Sequence, residues 1–177
     1  MWKWILIALA ALILIFIGVV AMQPDELRVE RSMTMAAPVE DVFAQVNNFH
    51  NWDAWSPWAK IDPNAKVGFE GAEAGEGAVF TWAGNSEVGK GTMTIIESKP
   101  DELVRARVHM TEPFEDTSMT EFTFKPDGNA TGVTWGMLGQ HNFMQKAMCL
   151  VMNGKKMLGD QLEKGLSNMK SVVETTH

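Results

Sequence analysis

Residues 37–63 read APVEDVFAQVNNFHNWDAWSPWAKIDP and combine helical spacing with a concentration of tryptophan. Pro38 suits the first turn of a helix, and apolar side chains follow it at three- and four-residue steps. Three tryptophans then recur at three-residue intervals: Trp52, Trp55 and Trp58. The pattern predicts an amphipathic helix followed by a short helix that Pro57 ends or distorts. The tryptophans could fill a core, line a ligand cavity or dip into a membrane interface.

The N-terminal segment is the most apolar part of the chain. Residues 4–22 (WILIALAALILIFIGVVAM) carry no charge. At about 1.5 Å per residue they would cross most of a ~30 Å hydrocarbon layer. Lys3 precedes this run and Asp25 follows it, so the positive-inside rule puts the N-terminus in the cytoplasm. We therefore expect a transmembrane anchor over residues 1–23 and one globular domain, outside the cytoplasm, over residues 24–177.

A cleaved signal peptide is the alternative interpretation of the same segment. Val19 and Ala21 are small enough to precede a cleavage site. However, the apolar run is longer than the roughly 7 to 15 residues usual in a signal peptide, and Trp2 and Trp4 resemble interfacial anchors. Either interpretation places the domain outside the cytoplasm.

The charge of the chain limits its possible binding partners, and its cysteine content indicates how the domain is stabilised. The chain has 15 basic and 22 acidic side chains, a formal net charge of −7. This balance argues against nucleic-acid binding and against electrostatic attraction to anionic lipid headgroups. Cys149 is the single cysteine, so the domain contains no intramolecular disulfide and depends on its apolar core for stability.

The rest of the chain predicts a sheet and a long helix. A half-buried strand ends before Pro38, and from about residue 66 six alternating runs are separated by turn sequences such as GN at 84–85 and PDGN at 126–129. From about Asn142 an apolar stripe continues for roughly thirty residues at helical spacing. The predicted order is therefore strand, two helices, six strands and one long helix.

These elements, in this order, resemble the START-like or SRPBCC superfamily, and within it the membrane-anchored polyketide cyclase-like proteins of bacteria. The resemblance covers about residues 27–173. It is carried by the strand ending in AP, the stretch quoted above, TGVTWGM at 131–137 and LEKGLSNMK at 162–170. It implies an α+β helix-grip fold, in which a curved antiparallel sheet surrounds the C-terminal helix and leaves an apolar cavity. Such proteins bind lipids, sterols, polyketides or other apolar molecules, and a minority catalyse reactions on them.

The resemblance also implies candidates for the cavity lining. They are Trp55, Trp58, Trp82, His109, Met110, Phe122, Phe124, Trp135, Met137, Met148 and Met152. His109 shares one strand face with Arg105 and Arg107, and alternation alone leaves open whether this face points inward or to solvent. The methionines would give a deformable wall. The predicted helix also contains three glycines, which lower its stability relative to alanine: Gly154, Gly159 and Gly165. A close approach by the sheet or a ligand would explain them.

Catalytic and metal-binding motifs are missing from the sequence. The four histidines are too far apart for a local zinc motif, and no nucleophile elbow, phosphate loop or dinucleotide fingerprint is present. Met144, Met148 and Met152 could suit Cu(I), but a flexible apolar lining explains them more simply. We therefore predict no catalytic residue, no metal and no cofactor.

Three functions remain open. The first is a membrane-tethered module that binds an apolar small molecule or lipid. The second is a structural or regulatory partner of another envelope protein. The third is a cyclase- or hydrolase-type enzyme, which would require an inward-facing acid or base such as His109 or Glu121. With the bacterial resemblance, the expected location is the inner membrane with a periplasmic domain, or the periplasm after cleavage.

Overall fold

The computed structural model describes residues 2–175 and contains five α-helices, one short 3₁₀ turn and seven strands in that range. The helices are α1 (Trp2–Ala21), α2 (Val39–Asn47), α3 (Trp52–Trp55), α4 (Phe143–Val151) and α5 (Gly154–Thr175), and the 3₁₀ turn is Phe49–Asn51. The strands are β1 (Glu26–Met35), β2 (Lys66–Gly71), β3 (Ala78–Ala83), β4 (Lys90–Lys99), β5 (Leu103–Glu112), β6 (Asp116–Asp127) and β7 (Ala130–Gln140).

The seven strands form one antiparallel sheet in the order β1-β7-β6-β5-β4-β3-β2. Strands β2 to β7 are a meander, and β1 joins it beside β7, with Glu26 opposite Gln140 and Met35 opposite Thr131. Helix α5 packs mainly on β1 and also contacts β7, α2 and α3. This curved sheet with its C-terminal helix confirms the predicted α+β helix-grip fold.

The tryptophans of the quoted stretch lie largely in the core. Trp52 and Trp55 are buried, and Trp58 is half-buried with its ring 5.7 Å from that of Trp135. Their indole N–H groups satisfy the end of α2: Trp52 donates to the Val46 carbonyl (2.9 Å) and Trp55 to that of Gln45 (3.2 Å). Carbonyls in the last turn of a helix have no partner within the helix, so these bonds fix α3 against α2.

The predicted single C-terminal helix is wrong, because the chain forms two. α4 ends at Val151 and α5 begins at Gly154, with Asn153 between them at φ 53°. Asparagine tolerates this left-handed conformation better than most residues, and the conformation ends a helix. Met148 and Met152 therefore do not continue the apolar stripe of α5; both are exposed.

Close approach explains two of the helix glycines. A Cβ atom on Gly165 would lie 2.5 Å from the Trp135 ring and 3.0 Å from Pro57 Cδ. A Cβ atom on Gly159 would lie 2.1 Å from an Arg31 guanidinium nitrogen. The Trp135 ring is locked in the core, whereas the end of the Arg31 side chain can move. The two positions therefore differ in how well they tolerate a methyl group.

Gly165→Ala should destabilise the protein, because overpacking against a fixed ring costs about 1–3 kcal/mol while the gain in helix propensity is about 1 kcal/mol. Gly159→Ala is the matched control and should leave stability unchanged or raise it by up to about 1 kcal/mol. Urea unfolding of the full chain in detergent, followed by circular dichroism, measures both. Equal effects at the two positions would contradict the assigned contact with Trp135.

Trp55→Ala should lower the free energy of unfolding by about 3–5 kcal/mol, because the side chain is fully buried and leaves a cavity. Trp55→Phe keeps most of the ring but loses the hydrogen bond to Gln45, so a smaller loss is expected. The same urea titration compares them. A loss below about 1 kcal/mol for the alanine variant would show that Trp55 is not core.

Candidate ligand-binding site on the concave face

The concave face is the side of the sheet on which α5 packs. Aromatic side chains fill its base. Four of the predicted lining residues are buried there: Trp55, Phe122, Phe124 and Trp135. The Phe122 and Trp135 rings stack with centroids 4.8 Å apart, and the Trp135 indole donates a 2.8 Å hydrogen bond to Thr120 Oγ1. Thr120 in turn donates to the Gly136 carbonyl at 3.3 Å. These residues are the hydrophobic core of the domain.

Beyond this base, the concave face has an open part. Five half-buried apolar side chains from four strands share the inner face there, and we call them the open apolar surface: Phe80, Trp82, Met93, Met110 and Met137. The strand register places Phe80 opposite Met93 and Trp82 opposite Gly91, which is also opposite Met110. Phe80, Met93 and Met137 also pack against the buried core, so the open apolar surface borders the core and is only partly covered.

Trp82 is held in place within this surface. Its ring lies over Gly91, where a Cβ atom would be only 2.5 Å from it, and its indole donates to the Val88 carbonyl at 3.3 Å. The Phe80 ring stacks on it with centroids 5.8 Å apart. Gly91 therefore provides the space that the indole occupies.

Phe80 and Met93 were not among the sequence candidates. Strand alternation could have identified Phe80, because it lies two residues from Trp82 in AVFTWA and therefore shares its face. Met93 lies two residues from Gly91 on the neighbouring strand and follows by the same alternation.

His109 lies on the outer face of the sheet. Its Nδ1 atom is 3.1 Å from Thr117 Oγ1. Arg105 shares this face and its guanidinium pairs with Glu97 on β4 and Glu121 on β6. Alternation grouped Arg105, Arg107 and His109 correctly, and the fold directs this group away from α5.

The ion pairs on the outer face shift the pKa values of Glu97 and Arg105. A hydrogen bond from Lys99 lowers the pKa of Glu97, and Arg105 contributes in the same direction. The hydrogen bond to Glu121 is the largest cause that raises the pKa of Arg105. The lowered pKa keeps the Glu97 carboxylate ionised near neutral pH, and the Arg105 guanidinium links β4, β5 and β6 through Glu97 and Glu121.

Met148 and Met152 lie outside the concave face. Met148 is part of α4, and Met152 follows the last residue of that helix. α4 contacts α1 and α5. The structure thus brings together only part of the predicted lining: four residues in the core, three in the open apolar surface, and Trp58 at the edge of the core.

A polar groove of about 510 Å³ opens to solvent at one end of the sheet, next to the start of α4. It is lined by Asp25, Glu115, Asp116, Thr117, Gln140, His141, Asn142 and Gln145. Within residues 2–175, no cluster of three histidine, cysteine or carboxylate side chains is arranged to hold a metal ion. All eight side chains that line the groove are polar or charged, so its chemistry differs from that of the open apolar surface.

α1 is the helix among residues 2–175 that is long and apolar enough to cross a membrane. Its length and composition are compatible with a single-pass anchor and equally with a signal sequence. Most of its large side chains are exposed.

Comparisons with known proteins agree with this architecture. Experimentally determined structures with the same fold include protein MLL2253 from Mesorhizobium loti (TM-score 0.63, 13% identity, 85% of this chain and 99% of that one). Protein CV1439 from Chromobacterium violaceum is also similar (TM-score 0.57, 15% identity, 86% and 99%). A third is DynU16, from the dynemicin biosynthetic locus (TM-score 0.58, 14% identity, 87% and 49%). A comparison with curated proteins finds no match.

The family model described as polyketide cyclase / dehydrase and lipid transport matches residues 26–174. This range begins at β1 and ends one residue before the end of α5, so it contains the whole sheet and every helix except α1. The chain therefore belongs to the polyketide cyclase / dehydrase and lipid transport family of the SRPBCC superfamily.

Proposed function

We propose that the protein is a membrane-tethered binding module that holds an apolar small molecule or lipid against the open apolar surface. In this proposal, residues 1–23 form the anchor and residues 24–177 the binding domain, on the periplasmic side of the inner membrane. The observation that carries it is the set of half-buried apolar side chains on the inner face of the sheet, of which Phe80, Met93 and Met137 pack against the core.

The composition of the open apolar surface supports an apolar ligand. Three of its five members are methionines, whose flexible thioethers adapt to ligands of different shape. The other two, Phe80 and Trp82, are stacked and offer a flat wall. Ligand sites are generally concave and mostly apolar, as this surface is.

The positions of His109 and Glu121 argue against catalysis by these two residues and so favour binding. An enzyme would need an acid or base on the inner face of the sheet, such as His109 or Glu121. His109 contacts Thr117, and Glu121 is paired with Arg105, both on the outer face. Neither faces the open apolar surface.

The properties of α1 support the tether. Its 20 residues span about 30 Å, the thickness of the hydrocarbon layer. Its apolar side chains are exposed all round except near its C-terminal end, where Val20 is buried. Such a helix is stable in lipid and poorly suited to water.

Full-length protein purified in mild detergent from its native membrane should carry a stoichiometric apolar molecule. Native mass spectrometry followed by lipid extraction measures and identifies it. A protein mass without ligand, together with failure to bind a fluorescent fatty acid and a fluorescent quinone, would overturn the proposal and point to a protein partner.

Met110→Gln should weaken binding of the identified ligand or fluorescent fatty acid about tenfold, because it puts an amide against the ligand at an unfavourable free energy of about 1–3 kcal/mol. Met119→Gln is the matched control: Met119 is also half-buried but lies opposite Arg107 on the outer face. Fluorescence titration compares them. Equal affinities for the two variants would exclude the open apolar surface as the site.

A further inference from the structure

α4 presents its apolar side chains to the outside and its polar side chains to the protein. Met144 is 66% exposed and Val151 72%, and Phe143, Met148 and Leu150 are exposed beside them. On the opposite side of the helix, Lys146 is only 9% exposed. A surface helix of a water-soluble domain has the reverse arrangement. The orientation therefore suits an apolar medium outside the protein.

Polar contacts hold α4 in this orientation. Lys146 Nζ donates to Asp25 Oδ1 (2.6 Å) and to the Gln23 carbonyl (3.1 Å). Gln145 Nε2 donates to Asp116 Oδ1 (3.0 Å), and the Asn142 side chain caps the start of the helix. A buried ammonium group needs such acceptors, so rotating α4 to hide its apolar side would leave Lys146 unpaired.

These contacts also fix the position of α4 along the membrane normal. Gln23, which accepts from Lys146, lies two residues after Ala21, the last residue of α1. α1 and α4 are in direct contact. If α1 crosses the bilayer, α4 therefore lies at the depth where the chain leaves the hydrocarbon. The exposed Lys155 and Lys156 follow it, and their long stems can place the charges among headgroups.

We propose that α4 is a membrane-interface helix, whose exposed apolar side enters the outer leaflet of the bilayer that α1 spans. The proposal rests on the proposed function, because it requires α1 to be in the membrane. Burial of apolar side chains, and not charge, provides the attraction, since the chain is acidic overall. Insertion should therefore occur in purely zwitterionic lipid and persist at high salt.

Site-directed spin labelling of the full chain tests this. In a Cys149→Ala background, a nitroxide is placed at Val151→Cys, at Leu12→Cys in the middle of α1, or at Asn129→Cys. Asn129 lies in the turn between β6 and β7. The 11 residues of β7 put it roughly 35 Å from the end of the sheet next to α1. The protein is reconstituted in phosphatidylcholine vesicles, and power saturation compares contact with oxygen and with a water-soluble nickel chelate.

The proposal expects labels at 12 and 151 to favour oxygen several-fold relative to the label at 129, with no change at high salt. Adding Met144→Glu should move the 151 label toward the nickel chelate. If the label at 12 is in lipid and the label at 151 is in water, the proposal that α4 is an interface helix is overturned, whereas the proposed tether is supported.

Two other outcomes would also overturn the proposal. A label at 151 shielded from both reagents would indicate a protein partner, or a second copy of this chain, on α4. A label at 12 in water would show that α1 does not span the bilayer, and both the tether and the interface helix would then fail.

Discussion

The core of the domain packs around the indole ring of Trp135. The rings of Trp52, Trp55 and Trp58 approach it with centroids 6.5, 5.6 and 5.7 Å away, and Phe122 stacks on it from the neighbouring strand. Its indole N–H is satisfied by Thr120, so the ring can be buried without an unpaired polar group. α5 crosses it at Gly165, where there is no room for a side chain. One ring thus joins the sheet, the short helices and the C-terminal helix.

Much of this fold was predictable because periodicity is a local property. The order of strands and helices followed from alternation and helical spacing, and the family resemblance supplied the way they assemble. The break at Asn153 was not predicted, because the apolar stripe continues through it and the left-handed conformation of one residue leaves little trace in the pattern. The position of α4 depends on a contact between Lys146 and Asp25, which are far apart in sequence.

The candidate site was predicted less well than the fold. Alternation correctly grouped Arg105 with His109, yet only the assembled sheet shows that their face points away from α5. Trp55 and Phe122 are aromatic, as a pocket wall would be, but burial against α5 and the short helices makes them core. Met110 and Met137 lie in the open apolar surface, with exposure that sequence alone does not reveal. α4 lies between this surface and α1: it contacts α1, and its Gln145 donates a hydrogen bond to Asp116, which is opposite Met110 in the sheet.

Four residues, 22–25, separate the end of α1 from the start of β1. Even fully extended, such a linker reaches only about 14 Å, and the contacts of Lys146 to Gln23 and Asp25 shorten it further. If α1 spans the bilayer, this short linker keeps the domain at the membrane surface. Under the proposed function, the domain would therefore exchange its ligand with that membrane or with a protein that docks there, and it would not carry the ligand across the aqueous space.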